Sequence, residues 1–140
     1  MKLVHPSPML KTALAVDALS GAGTAGLQLL MPGLLADRLG LPMALLLETG
    51  LFLVGLAALL AFLARSERVA APLVWAIVIG NVGWSAGCVL LWAAGLVAPT
   101  PLGVAFLLMQ AAVVLALAAW EAAGLRASRP LSPAGIAAAH

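Results

Sequence analysis

Four long apolar runs dominate the chain, over residues 9–31, 43–64, 72–97 and 102–125. Each is at least about 20 residues long, enough to cross about 30 Å of hydrocarbon at about 1.5 Å per residue of helix. None alternates polar with apolar positions, so barrel strands are not predicted. A helix satisfies its own backbone in lipid. The pattern predicts an all-α fold, an integral membrane four-helix bundle over residues 1–126, followed by a flexible tail at 127–140.

The breaks between runs carry helix punctuation. Met31-Pro32-Gly33 closes the first run, and Gly40-Leu41-Pro42 opens the second. Arg65-Ser66-Glu67-Arg68 separates the second from the third, and Ala98-Pro99-Thr100-Pro101 separates the third from the fourth. Pro42, Pro72 and Pro101 stand where a helix can begin, since its first N–H groups lack an internal acceptor anyway. In residues 32–42, Leu34, Leu35 and Leu39 share one helical face. This segment reads as a short interfacial helix, either an anchored loop or a lid.

Composition agrees on the solvent. The chain is 64% hydrophobic and 9% charged, whereas soluble domains run about 45–50% apolar and about 25% charged. The net charge of +2 reflects few acids rather than a basic patch, so no nucleic-acid partner is expected. Of seven basic residues, Lys2, Lys11, Arg65, Arg68, Arg126 and Arg129 fall on one side, and only Arg38 on the other. The positive-inside rule puts both termini and the middle loop in the cytoplasm, in a bacterial inner membrane. Asp17 interrupts the first run, which argues against a cleaved signal peptide.

Catalytic chemistry is not indicated. Cys88 is the one cysteine, and His5 and His140 stand at opposite ends. No metal, nucleotide or nucleophile motif occurs, so the chain reads as a non-enzyme without a cofactor.

The informative residues are polar ones inside the runs: Asp17, Glu48, Asn81 and Gln110. An ionised carboxylate near mid-membrane costs roughly 2.5–3.5 kcal/mol on insertion scales, so both acids are expected to face the bundle interior. Asp17, Ser20, Gly21, Thr24 and Gln28 form one helical stripe; Asn81, Trp84, Ser85, Cys88 and Trp92 form another. Asp17, Glu48, Asn81, Gln110, Thr24 and Trp84 are the candidates for binding or proton coupling. For Ser20, Thr24, Ser85 and Cys88 the competing reading is hydrogen-bonded glue between helices. Gly83 and Gly87, and Ala22 and Gly26, predict close helix contact. Glu121 reads as a solvated interfacial acid. Trp75, Trp92 and Trp120 fit aromatic belts, and Trp84 is deep enough to pack inside. A shift of 64 residues lays Asp17 on Asn81, and a connection two residues shorter lays Glu48 on Gln110. A tandem two-helix repeat would thus place Asp17 beside Asn81 and Glu48 beside Gln110.

Residues 41–56, LPMALLLETGLFLVGL, resemble the second-helix region of the DoxX-like small four-helix bacterial membrane proteins. There a Gly-Leu-Pro precedes a glutamate and a Gly- and Leu-rich helix. The resemblance covers about the first half of the chain. It implies an inner-membrane bundle, of a kind that in some families associates with quinone-linked redox complexes.

Three functional readings follow. The first is an accessory subunit of a membrane complex, with the lipid bilayer and either other membrane proteins or further copies of itself as partners. The second is an oligomeric small transporter or proton-coupled carrier using Asp17 and Glu48. The third is a lipid or quinone site near Trp84 or Trp92.

Overall fold

A computed structural model describes residues 2–131. Four helices in it are long and apolar enough to cross a membrane: α1 (Pro8–Leu30), α3 (Met43–Arg65), α4 (Ala71–Ala93) and α5 (Pro101–Arg126). A fifth, α2 (Pro32–Leu39), is short. Three short strands, β1 (Leu3–His5), β2 (Val69–Ala70) and β3 (Arg129–Pro130), form one antiparallel sheet in the order β2-β1-β3.

Local chemistry sets the boundaries. Ser7 and Thr100 cap α1 and α5, their hydroxyls accepting from the N–H of Leu10 at 3.1 Å and Gly103 at 3.1 Å. Such a cap contributes typically about 1 kcal/mol. Pro8, Pro72 and Pro101 occupy first turns, whereas Pro42 stands one position earlier, at the N-cap of α3. The third run stops as a helix at Ala93, short of residue 97. Gly95 takes a left-handed φ of 68°, and the N–H groups of Leu96 and Val97 fold back onto the carbonyl of Leu91. That is a glycine-terminated helix end.

The long helices run antiparallel in sequence, α1 packing on α3 and on α5, and α5 on α4. In cross-section the order is therefore α3, α1, α5, α4, with α3 and α4 at the two free edges. The arrangement is a trough whose mouth lies between α3 and α4.

Both ends of the trough are closed. At the terminal end, β1 joins the α3–α4 connection to the segment after α5. Ser7 donates to the Gly124 carbonyl at 2.7 Å, and Ser128 donates to the same oxygen at 2.9 Å. A buried cluster of Val4, Leu10, Leu14, Leu60, Val69, Val74 and Leu125 fills the space beneath. The tail expected to be loose from residue 127 is thus held through Leu131, whose N–H bonds the Leu3 carbonyl at 3.0 Å; residues 132–140 lie outside the described part. At the opposite, loop end, α2 lies across the bundle. Leu39, Leu41, Leu46, Cys88, Leu107 and Ala111 form a second buried cluster there. The Leu39 carbonyl accepts from Thr100 N–H at 2.9 Å, and Thr100 Oγ1 donates to the Arg38 carbonyl at 2.7 Å.

Close helix approach occurs at glycines other than those expected. A Cβ on Gly124 would stand 2.7 Å from Leu10 Cα, and one on Gly103 would collide with the Leu39 carbonyl oxygen. Gly83 and Gly87 have open space where a Cβ would go, and Gly83 is exposed. The GxxxG of α4 therefore makes no helix contact within this chain. Spacing alone reveals small residues but not which way their face turns.

Gly124→Ala should accordingly destabilise the protein by about 1–3 kcal/mol through overpacking, while Gly83→Ala should leave stability unchanged or slightly raised. Reversible unfolding of both variants in detergent micelles measures the contrast. Equal stability of the two would refute the close approach of α1 and α5.

Candidate functional site

Three helices converge on a polar cluster above the terminal-end core. Asp17 comes from α1, Asn81 from α4 and Glu121 from α5. Asn81 Nδ2 donates to Asp17 Oδ2 at 2.9 Å and to Glu121 Oε2 at 3.2 Å. All three are buried, and Glu121 is 0% exposed. Both carboxyls thus converge on one amide nitrogen, from α1 and from α5. Glu121 Oε1 has no hydrogen-bond partner. A carboxylate can only accept, so a direct bond between two carboxyls requires a proton on one of them.

Glu121 corrects the sequence reading, which placed it in solvent at the membrane surface. It lies on the inward face of α5 with Leu117, Ala118, Gly124 and Leu125. The signal was available: Gln110, Val114, Leu117 and Glu121 recur at offsets of 4, 7 and 11, the rule that collects Asp17 to Gln28.

Beside the cluster the trough holds a cavity of about 450 Å³, lined by residues from all four long helices. Its walls are mostly apolar, with Leu53, Leu56, Ile77, Phe106 and Val114 among them. The polar side chains reaching it are Asp17, Ser20, Thr24, Asn81, Trp84 and Gln110. Five of the six candidate residues from the sequence thus border one space. Trp84 Nε1 donates to Gln110 Oε1 at 3.2 Å, while Gln110 Nε2 is buried without an acceptor. Phe52 of α3 stacks on Trp84 of α4, ring centres 5.9 Å apart and planes 12° from parallel. That stack bridges the mouth of the trough.

Glu48 is the exception. It is exposed on the outside of α3, so the expectation that it faces inward is overturned, and so is its placement beside Gln110. Glu48 sits in the second turn of α3, near its N-terminal end. The interior positions on that part of α3 belong to Leu46, Gly50 and Leu53. Next to Glu48, Thr49 does reach inward: its hydroxyl lies 3.2 Å from Gln28 Oε1 and 2.6 Å from the Leu45 carbonyl. This α1–α3 contact was not anticipated.

The expected hydroxyl glue is mostly absent. Thr24 and Ser85 donate to carbonyls four residues back on their own helices, at 3.0 Å each. Cys88 sits in the loop-end core. Outside, Arg126 lies 5.9 Å from the Trp75 ring centre, and Trp92 is exposed.

Asn81→Leu should cost about 1–3 kcal/mol of stability, because both carboxyls lose their donor while still buried. Glu121→Gln should cost far less, since its amide can donate to Asp17. Denaturant unfolding of the two variants checks the ranking, and the reverse order would show that Asn81 is not the group holding the acids.

No protein-family model, curated protein or solved structure matches the chain.

Proposed function

We propose that this is a non-enzymatic membrane protein that takes a small, largely apolar molecule from the bilayer into the trough between α3 and α4. The carrying observation is the cavity of about 450 Å³ with an unpartnered amide N–H, that of Gln110, at its wall. Small-molecule sites are typically about 300–1,000 Å³, apolar, with a few placed polar groups. A buried amide without an acceptor costs about 1–3 kcal/mol, which a carbonyl or similar oxygen on the occupant would recover. The mouth faces the side of the bundle, where lipid lies, so entry needs no aqueous route. The loops outside the helices are short, which leaves the bundle itself as the surface through which an accessory subunit would meet a membrane complex.

Orientation belongs to the same reading. The antiparallel helices gather six of the seven basic residues at the terminal end, and the positive-inside rule assigns that end to the cytoplasm of a bacterial inner membrane. A tandem origin of the hairpins is supported by the bond between Asp17 and Asn81, 64 residues apart; the exposure of Glu48 speaks against extending the symmetry to the other end.

Two measurements test these proposals. In a variant keeping Trp84 but carrying Trp75→Phe, Trp92→Phe and Trp120→Phe, a brominated long-chain ester should quench fluorescence saturably and more strongly than the matching bromoalkane. Gln110→Leu should weaken the ester roughly five- to tenfold, the worth of one hydrogen bond. Linear quenching by both compounds alike would mean simple partitioning into the micelle. Separately, a reporter active only outside the cytoplasm and fused after residue 140 should stay silent, while the same reporter inserted between Ala98 and Pro99 should be active. The opposite result would invert the topology.

A further inference from the structure

The cavity wall carries an acid to which the fold offers no basic partner. Asp17 and Glu121 share one donor, Asn81 Nδ2, and no basic side chain bonds either of them among the described residues. The groups that could titrate or pair are placed elsewhere on every neighbouring element. On α1, Lys11 stands six residues before Asp17, about 9 Å along the axis, and lines a separate groove against α3. On α5, Arg126 is exposed and turned to Trp75. On α3, Arg65 and Glu48 are exposed near its two ends. On α4, the nearest ionisable group is the Cys88 thiol, two turns from Asn81 and inside the other core. His5 of β1 is exposed, its Nδ1 3.1 Å from the Glu67 carbonyl oxygen.

Building on the binding reading above, we infer that the cavity takes a monovalent lipophilic cation, such as an ammonium or phosphonium with an apolar body, in exchange for one proton from the Asp17–Glu121 pair. Four observations converge on that class. Asp17 lines the cavity, is 6% exposed, and is hydrogen-bonded through Oδ2 alone. Glu121, sealed behind it, keeps Oε1 without a partner. The Phe52–Trp84 stack stands about one helical turn from Asn81 along α4 and lines the same space; aromatic faces attract cations, most strongly where water is excluded. The rest of the wall is mostly apolar, with Ser20, Thr24 and Gln110 as its other polar side chains, which suits a weakly hydrated organic ion.

The charge balance follows from low dielectric. With two protons the pair is neutral; with one it carries −1, which is costly in an apolar space unless a cation sits beside it. The empty neutral pair and the singly protonated pair with a bound cation have the same net charge. Binding therefore breaks one carboxyl O–H bond and releases one proton to water, and re-protonation expels the cation. No other bond changes.

Tetraphenylphosphonium and the uncharged triphenylphosphine oxide separate this from the simpler reading, using equilibrium dialysis against the purified full chain in detergent. The cation should bind about tenfold more weakly for each pH unit below the midpoint, with about one proton released per cation bound. The oxide, which offers Gln110 an acceptor, should bind without pH dependence. Asp17→Asn should lose the cation and keep the oxide, the retained oxide binding showing that the fold survives. Glu121→Gln should keep the cation, because Asp17, which lines the cavity, still supplies the counter-charge. If both probes bind alike, with no proton released, the cation inference fails while the cavity remains a binding site. If neither binds, both proposals fall.

Discussion

The Asn81 amide is the point on which the interior depends. Among the described residues it is the one side chain that hydrogen-bonds acids from both α1 and α5, and it stands on α4. Two carboxyls buried together repel when ionised and need donors in any state. A single NH₂ supplies one hydrogen to each, at Asp17 Oδ2 and Glu121 Oε2. Packing of the two hairpins, α1 with α3 and α4 with α5, is thereby pinned at one depth by polar chemistry. In lipid this matters more than in water, because apolar surface alone does not drive helices together there.

The rest of the architecture concentrates packing at the ends and leaves the middle open. Apolar clusters sit beneath the small sheet and beneath α2, and the glycines that permit closest approach, Gly124 and Gly103, lie at those same ends. Between them α3 and α4 do not pack on each other as the other neighbouring helices do. The cavity is the space a fully packed bundle would have filled, and its wall collects the polar stripe of α1. A site built in this way is packed above and below, with the Phe52–Trp84 stack on its remaining side.

The polar groups divide by what they satisfy. Thr24 and Ser85 return their hydroxyls to their own helices, which makes them tolerable in an apolar setting without binding helices together. Asp17, Glu121 and Gln110 cannot do this, since their longer or acceptor-only groups require a partner from another helix or from outside the chain. Two of their atoms, Glu121 Oε1 and Gln110 Nε2, find none. The functional reading rests on that difference rather than on polarity as such.

Four spans, their limits to within a few residues and the short helix at 32–39 were legible along the chain, because helix length, proline position and hydropathy are local properties. So was the pairing of Asp17 with Asn81, through their spacing of 64 residues and matching depth. What the sequence could not determine was the rotation of each helix about its axis. A run apolar on nearly every side, such as α3 or α5, gives no strong preference for which face turns inward. That rotation buried Glu121 and exposed Glu48, and it turned Gly83 away from its neighbours. The three short strands were equally hidden: two- and three-residue pairings have no periodicity to read, and they exist only because the antiparallel helices bring residues 3–5, 69–70 and 129–130 to one end. Tertiary packing decides such features, since only the sum of contacts across all helices fixes the angle at which each one settles.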